Sequence, residues 1–211
     1  MYNDERHSRA YYQGRARWYD WTNRLAALLR GVSAMKERRK AVDRLELRPG
    51  QRVLEVSVGT GTNVALLGKV VGPEGRLVGL DISRAMLNRC RQKLRRQDVA
   101  ANLVEGEAAH LPFADRAFDA VFHHGGLAEF GNKATAIEEM VRVARTGAKV
   151  VICDVGVPAD RKLSLMSRLL LKTQPIYDKP PPLDLIPPEA ESLELTWFHG
   201  GSWYLIEFTR P

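Results

Sequence analysis

The run VLEVSVGTGTN at 53–63, followed by LVGLDIS at 77–83, pairs two acids with a glycine turn. Taken as strand, tight turn, helix and second strand, it offers helix N-terminal amides to an anionic group. At the second strand's tip it offers the Asp81 carboxylate to the paired hydroxyls of a ribose. Gly59 and Gly61 suit such a turn because only a residue without Cβ bends this sharply and lies against a ligand. Asp81 follows Gly61 by 20 positions, a gap that one helix and one returning strand fill. Glu55 adds a second acid at the tip of the first strand, and two such acids beside one glycine turn are hard to place in a structural role. The pattern describes a nucleoside-cofactor site.

A dinucleotide fingerprint requires a third glycine at G-x-G-x-x-G, and Val64 stands there, so the pattern departs from a nicotinamide site. The stretch Glu55-Val-Ser57-Val-Gly59-Thr-Gly61 instead resembles motif I, E-x-G-x-G-x-G, of the class I S-adenosylmethionine-dependent methyltransferases, with Ser57 where glycine is usual. The resemblance implies S-adenosylmethionine as cofactor, with Val58, Gly59 and Gly61 around it, Asp81 on the ribose hydroxyls and Ile82 against the adenine. The segment VEGEAAHLPFADRAFDAVF at 104–122 resembles the family's third and fourth strand region. It implies that Glu107 meets the adenine amino group, with Ala108 beside it. Residues 132–145, Thr146-Gly147 and the apolar run 148–155 resemble the helix, glycine turn and fifth strand that follow. Ser57 either crowds the methionine end of the cofactor or donates a hydroxyl to it.

The run YYQGRARWYDWTNRL at 11–25 resembles the entry helix of the ubiquinone/menaquinone and phospholipid methyltransferase branches. It implies a helical cap over residues 1–48 ahead of a cofactor-binding core at 49–211, with Tyr19 and Tyr12 near the cofactor. A sulfonium methyl is already activated, so alignment and exclusion of water are the protein's main tasks. A phenol or enolic carbon acceptor benefits from a base, and His123 and His124, at the tip of strand four, are the candidates, with Tyr19 behind them; the alternative is that His123 contacts the cofactor without acting as base. Strand side chains alternate, so both histidines cannot face the pocket equally.

These residues need a scaffold, and the hydrophobic periods supply one. Strands are expected at about 52–57, 76–81, 101–105, 117–123 and 148–155, with helices between them, including Arg38–Leu47 with Ala41, Val42 and Leu45 inward. Such alternation argues an α/β fold with helices on both faces of a mostly parallel sheet. The segment LELTWFHGGSWYLIEFTR is two β-rich runs joined at His199-Gly200-Gly201-Ser202, a hairpin. The resemblance completes this as a Rossmann-like sheet of seven strands closed by a C-terminal antiparallel hairpin.

At 211 residues and 45% hydrophobic content the chain builds one large core. Cys90 and Cys153 lie apart without metal-spaced histidines; Cys90 shares a stripe with Met86, Leu87 and Leu94, and both thiols are expected in the core, with no metal site. The N-terminus carries charges where a secretory signal needs an apolar stretch, and no run approaches membrane-spanning length, which predicts a cytoplasmic protein.

Residues 1–48 hold 12 Lys or Arg against 6 Asp or Glu, nearly all of the chain's net charge of +7. This field is either a solvated face or a rim that attracts an anionic substrate or an acidic membrane surface. Nucleic acid ranks last, because no RNA-binding module is present and His123-His124-Gly125-Gly126 is unlike the amino-group motif of nucleic-acid methyltransferases. The stretch 161–188 begins as a basic apolar helix with Leu163, Met166, Leu169 and Leu170 on one side and ends in a proline-rich connection. A sheet-covering helix explains it better than a lipid-contacting one. Together these features predict a methyltransferase acting on a small hydrophobic, lipid-like or quinone-like acceptor. The alternatives are a cofactor-binding protein without turnover, acting as partner or regulator, and a nicotinamide-dependent reductase.

Overall fold

The computed structural model describes residues 34–158, 179–198 and 202–211. Tyr12, Tyr19, most of the expected cap, the leucine-rich stretch of 161–178 and the hairpin's tip at His199-Gly200-Gly201 lie outside these residues.

In chain order the elements are α1 (Ala34–Asp43), β1 (Arg52–Val56), α2 (Val64–Val71), β2 (Arg76–Asp81), α3 (Arg84–Gln97), β3 (Asn102–Glu105), β4 (Phe118–His124), α4 (Lys133–Val143), β5 (Ala144–Val155), β6 (Glu191–Phe198) and β7 (Trp203–Thr209). Short 3-10 turns at Leu127–Glu129 and Leu183–Leu185 complete the set. The seven strands form one sheet in the order β3-β2-β1-β4-β5-β7-β6. All neighbours from β3 to β5 pair in parallel, and β7 runs antiparallel to both β5 and β6. The Phe198–Trp203 pairing closes the expected hairpin.

Both faces are covered, which is why the central strands are apolar throughout instead of alternating. On one face α1, α2 and α3 bury Ala41, Val42, Leu67, Leu87 and Cys90 against Val53, Ala120 and Phe122. On the other, Ala136, Ile137 and Met140 of α4 pack on Leu54, Val121 and Ile152. Both thiols are buried and free, as expected.

Three boundaries differ from expectation, the first being that α1 begins at Ala34 instead of Arg38. Helix α1 ends at Asp43, not Leu47, because the chain closes with short-range bonds from Leu45 and Glu46 to Val42 and Asp43, and Glu46 turns left-handed at φ 50°. Leu45 is nevertheless buried, delivered by the turn. Strand β5 starts at Ala144 instead of Ala148, because Ala144 pairs with Phe118 across an irregularity that absorbs Gly147 at φ 76°.

The parallel arrangement places the ends of β1, β2 and β4 side by side, and ligands of open α/β sheets sit at such strand tips.

Candidate functional site

One cleft lies at these tips, holding about 930 Å³ of space with its open mouth included. Glu55 and Ser57 reach it from the end of β1, Val58 and Gly59 from the turn, Asp81 and Ile82 from the end of β2, and Glu107 and Ala108 from the β3–β4 connection. His124 and Gly125–Gly126 line it from the end of β4. Residues from four separate stretches thus meet in one cavity.

Asp81 is buried, and both its oxygens accept backbone amides: Oδ2 from Gly59 at 2.8 Å and Oδ1 from Ser83 at 2.9 Å. These bonds tie the glycine turn to the β2 tip. Each oxygen keeps a further lone pair for a hydroxyl donor. Burial pushes the carboxyl up to about 6, and the amides of Ser83 and Gly59 restrain the rise. Ser83 caps α3 by accepting from the Met86 amide, and Met86 joins the cleft wall.

Glu55 is buried more deeply in charge terms. Its Oε1 accepts from Asn63 Nδ2 at 2.6 Å, and Asn63 Oδ1 in turn accepts from Arg38 at 2.7 Å. Oε2 has no hydrogen-bond partner among the described residues. Burial lifts the carboxyl to about 8, opposed by the Asn63 donation and the Arg38 charge. Asn63 precedes α2 without capping it, because its side chain serves Glu55 and Arg38 instead.

Lys93 reaches from α3 to the glycine turn, donating to Thr60 Oγ1 at 3.0 Å and Thr62 Oγ1 at 3.1 Å. Lys93 thus turns inward from a helix whose basic residues Arg89, Arg91, Arg95 and Arg96 are exposed. On the opposite side of the cleft, the buried Asp154 of β5 accepts the amides of Val155 at 2.7 Å, Ala128 at 2.9 Å and Gly126 at 3.4 Å. It thereby fixes the turn that presents Glu129 and Phe130 to the cavity. Burial raises Asp154 to about 6 against those three amides.

Two sequence candidates sit elsewhere. His123 is fully buried and turned to the α4 face, where Nδ1–H donates to the Val56 carbonyl at 3.1 Å and the Phe130 ring meets it edge-on. Burial lowers its imidazole to about 4, outweighing that bond. It is a packed neutral side chain, which corrects the expectation that it contacts cofactor or acts as base; its neighbour His124 takes the cleft side, against Trp203. Gly61 stands behind the cleft wall, where an added Cβ would meet Cys90 Sγ at 2.5 Å, so it serves packing of the turn against α3. Gly59, at φ 55°, has its missing Cβ direction open to 4.0 Å.

Ser57 lines the cleft with φ 59°, in the left-handed region where glycine is favoured. That backbone explains why a glycine suits this position. Arg38, Asn63, Lys93, Asp154 and Glu129 were not found from the sequence, since three of them reach the site from helices or a neighbouring strand. Asn63, two residues after Gly61, carried the one local signal: a polar amide inside the motif. Among the described residues, no cluster of His, Cys, Asp or Glu could hold a metal, and no helix is long and apolar enough to cross a membrane.

Comparison with known proteins agrees with this geometry. Residues 3–171 match the model of the ubiE/COQ5 methyltransferase family. The chain is 37% identical over 123 residues to the ubiquinone/menaquinone biosynthesis C-methyltransferase UbiE of Haemophilus ducreyi, covering 57% of this chain and 48% of that protein. It is 39% identical over 144 residues to the demethylmenaquinone methyltransferase of Beutenbergia cavernae, covering 68% of this chain and 55% of that one. The chain thus spans about half the length of these curated relatives. In fold it resembles a methyltransferase from Aquifex aeolicus, with TM-score 0.60 and 19% identity over 82% of this chain and 89% of that one. It also resembles phosphoethanolamine N-methyltransferase 2 of Haemonchus contortus, solved with S-adenosyl-L-methionine, at TM-score 0.70 and 15% identity over 83% of this chain and 52% of that one.

Proposed function

The chain belongs to the ubiE/COQ5 methyltransferase family, and from that premise we propose that it is an S-adenosylmethionine-dependent methyltransferase acting on a small hydrophobic, quinone-like acceptor. The observation that carries this reading is the meeting of Glu55, Asp81 and Glu107 in one cleft beside the Gly59 turn. The unpartnered Oε2 of Glu55 and the open face of Gly59 fit a ligand that brings hydrogen-bond donors and lies close to backbone.

In this reading Asp81 accepts the ribose hydroxyls, Glu107 the adenine amino group, and Ile82, Met86 and Ala108 flank the base. Glu55 receives the amino group of the methionine end. Bound there, the cofactor supplies an activated sulfonium methyl. The chain's own residues then hold the acceptor in line and keep water out. Gly125 and Gly126 leave room for a flat acceptor, with the rings of Phe130 and His124 as walls and Trp203 packed behind His124. In this reading His124 takes the proton of a phenolic hydroxyl as the acceptor carbon or oxygen becomes nucleophilic. The basic residues of 1–48 would meet an anionic membrane surface where such acceptors reside, from the cytoplasmic side.

Calorimetry with S-adenosylhomocysteine and NADH, followed by methyl transfer to a panel of demethylated quinols, phenols and lipids, tests the reading. S-adenosylhomocysteine binding with transfer to a quinol is expected. NADH binding without S-adenosylhomocysteine binding overturns the cofactor assignment, and tight cofactor binding without transfer to any panel member replaces the enzyme by a silent binder.

A further inference from the structure

Glu55 is the one carboxyl of the cleft with no direct cationic partner and an oxygen that nothing in the described chain satisfies. Its surroundings explain how it persists. Asn63 donates to Oε1, an arrangement open to both the neutral and the ionised carboxyl. The Arg38 guanidinium from α1 is spent on the far side of that amide, so its charge reaches Glu55 only across Asn63. Lys93 from α3 is engaged at Thr60 and Thr62, and Asp81 from β2 contributes a like charge. Glu107 from the β3–β4 connection and His124 from β4 line the same cavity. Among the described residues a carboxylate here has one donor, Asn63, and no contacting cation, whereas a neutral acid lacks only a partner for its own hydrogen. An ionised carboxyl so placed is costly.

We propose that Glu55 stands in the unliganded protein as a neutral carboxylic acid and releases its proton when the ammonium-bearing end of the ligand docks on Oε2, so that cofactor binding is coupled to proton release. This rests on the cofactor assignment of the preceding subsection and adds a linkage to it. The proton passes from the Glu55 carboxyl to buffer, and the ligand's ammonium becomes the counter-ion; no covalent bond is made or broken elsewhere. The buried position that lifts Glu55 to about 8 sets the range. At pH 7 about nine-tenths of a proton leaves per ligand bound, and affinity rises about fivefold between pH 7 and pH 8, then flattens. The sign is fixed: a group that must lose a proton to bind makes binding stronger as pH rises.

The test is calorimetry of S-adenosylhomocysteine binding at pH 7 in buffers of different ionisation enthalpy, with adenosine as a second ligand that offers the ribose and base but no amino group. Release of close to one proton with S-adenosylhomocysteine, little with adenosine, and loss of the release in Glu55→Gln supports the coupling. Binding of S-adenosylhomocysteine with no proton release, or with a release that Glu55→Gln leaves intact, overturns it. The same overturning follows from equal release with adenosine, which would place the proton at Asp81. Should the Gln variant misfold, the proton count of the native protein with the two ligands still decides. Failure of S-adenosylhomocysteine to bind at all is a different outcome, and removes the cofactor assignment itself.

Discussion

Replacing Gly61 with alanine separates the two reasons for a glycine in this motif. The added methyl would stand 2.5 Å from Cys90 Sγ and 3.5 Å from its Cβ, with α3 behind them, and the backbone sits at φ 76°. The left-handed backbone costs an alanine about 1–2 kcal/mol. Forcing a methyl against a packed thiol adds about 1–3 kcal/mol. Gly61→Ala should therefore lower stability by about 2–5 kcal/mol, read from the urea midpoint of the unliganded protein. Cys90→Ala alone removes a buried sulfur and costs about 1–2 kcal/mol. In the double variant the collision is gone and only the backbone penalty remains, so the pair should be less destabilised than the singles predict, by a coupling of about 1–3 kcal/mol. Because Gly61 lies behind the cleft wall, S-adenosylhomocysteine affinity in the double variant should match that of Cys90→Ala. Additive costs, or an affinity loss that the double variant does not recover, would falsify the packing role and return Gly61 to the ligand.

Three further outcomes follow. Ser57→Gly relieves a left-handed serine, worth about 1–2 kcal/mol, at a flexibility cost of about 0.5–1 kcal/mol, so the urea midpoint should rise slightly; a clear fall would mean the serine hydroxyl holds the turn. Asp154→Ala strips the acceptor from the amides of Gly126, Ala128 and Val155 and should cost about 2–4 kcal/mol, raising acceptor KM while S-adenosylhomocysteine affinity holds; a parallel loss of cofactor affinity contradicts the division of the cleft. His123, held near 4 in the fold against an ordinary 6.5, leaves the unfolded chain to bind the proton first as pH falls. Stability relative to His123→Phe should thus drop by about 2 kcal/mol between pH 7 and pH 5, and an equal pH response in the two proteins denies the buried neutral ring.

Much of this architecture was legible in the sequence because its signals are local. Apolar runs bounded by turn residues marked β1, β2 and β4, and the stripe of Met86, Leu87, Cys90 and Leu94 marked α3. The acids at 55 and 81 were legible because each stands at the end of a strand beside the glycine turn, and Glu107 through the resemblance of 104–122 to the family's third and fourth strand region. The histidine choice was not legible. In a strand buried on both faces, Val121 and Phe122 are equally apolar, so the period of two that would orient His123 and His124 carries no contrast. Arg38, Lys93 and Asp154 depend on contacts across 25 to 33 residues, as in Arg38 to Asn63 and Lys93 to Thr60, and no spacing rule reaches that far. The end of α1 was misplaced because Leu45 keeps the helical inward period although a tight turn, not a helix, buries it.

The charges around the cleft bear on turnover in the proposed reaction. Four carboxyls, from Glu55, Asp81, Glu107 and Glu129, line it against Arg38 and the nearby Lys93, whose charges oppose part of that field. Such a cavity prefers a cationic ligand to the same ligand without its charge. A unit charge about 8 Å from one carboxylate is favoured by about 2 kcal/mol at an effective dielectric of 20. Methyl transfer converts a sulfonium into a neutral thioether, so the attraction that helps seat the cofactor is withdrawn by the reaction itself. In the proposed pose the ribose and amino contacts at Asp81 and Glu55 would be shared by both forms and discriminate little between them. Preference for the methylated cofactor, and release of the product, then rest on the field of the acids more than on any single hydrogen bond. That field is strongest when Glu55 is ionised, which ties discrimination between the two forms to the same proton that governs binding.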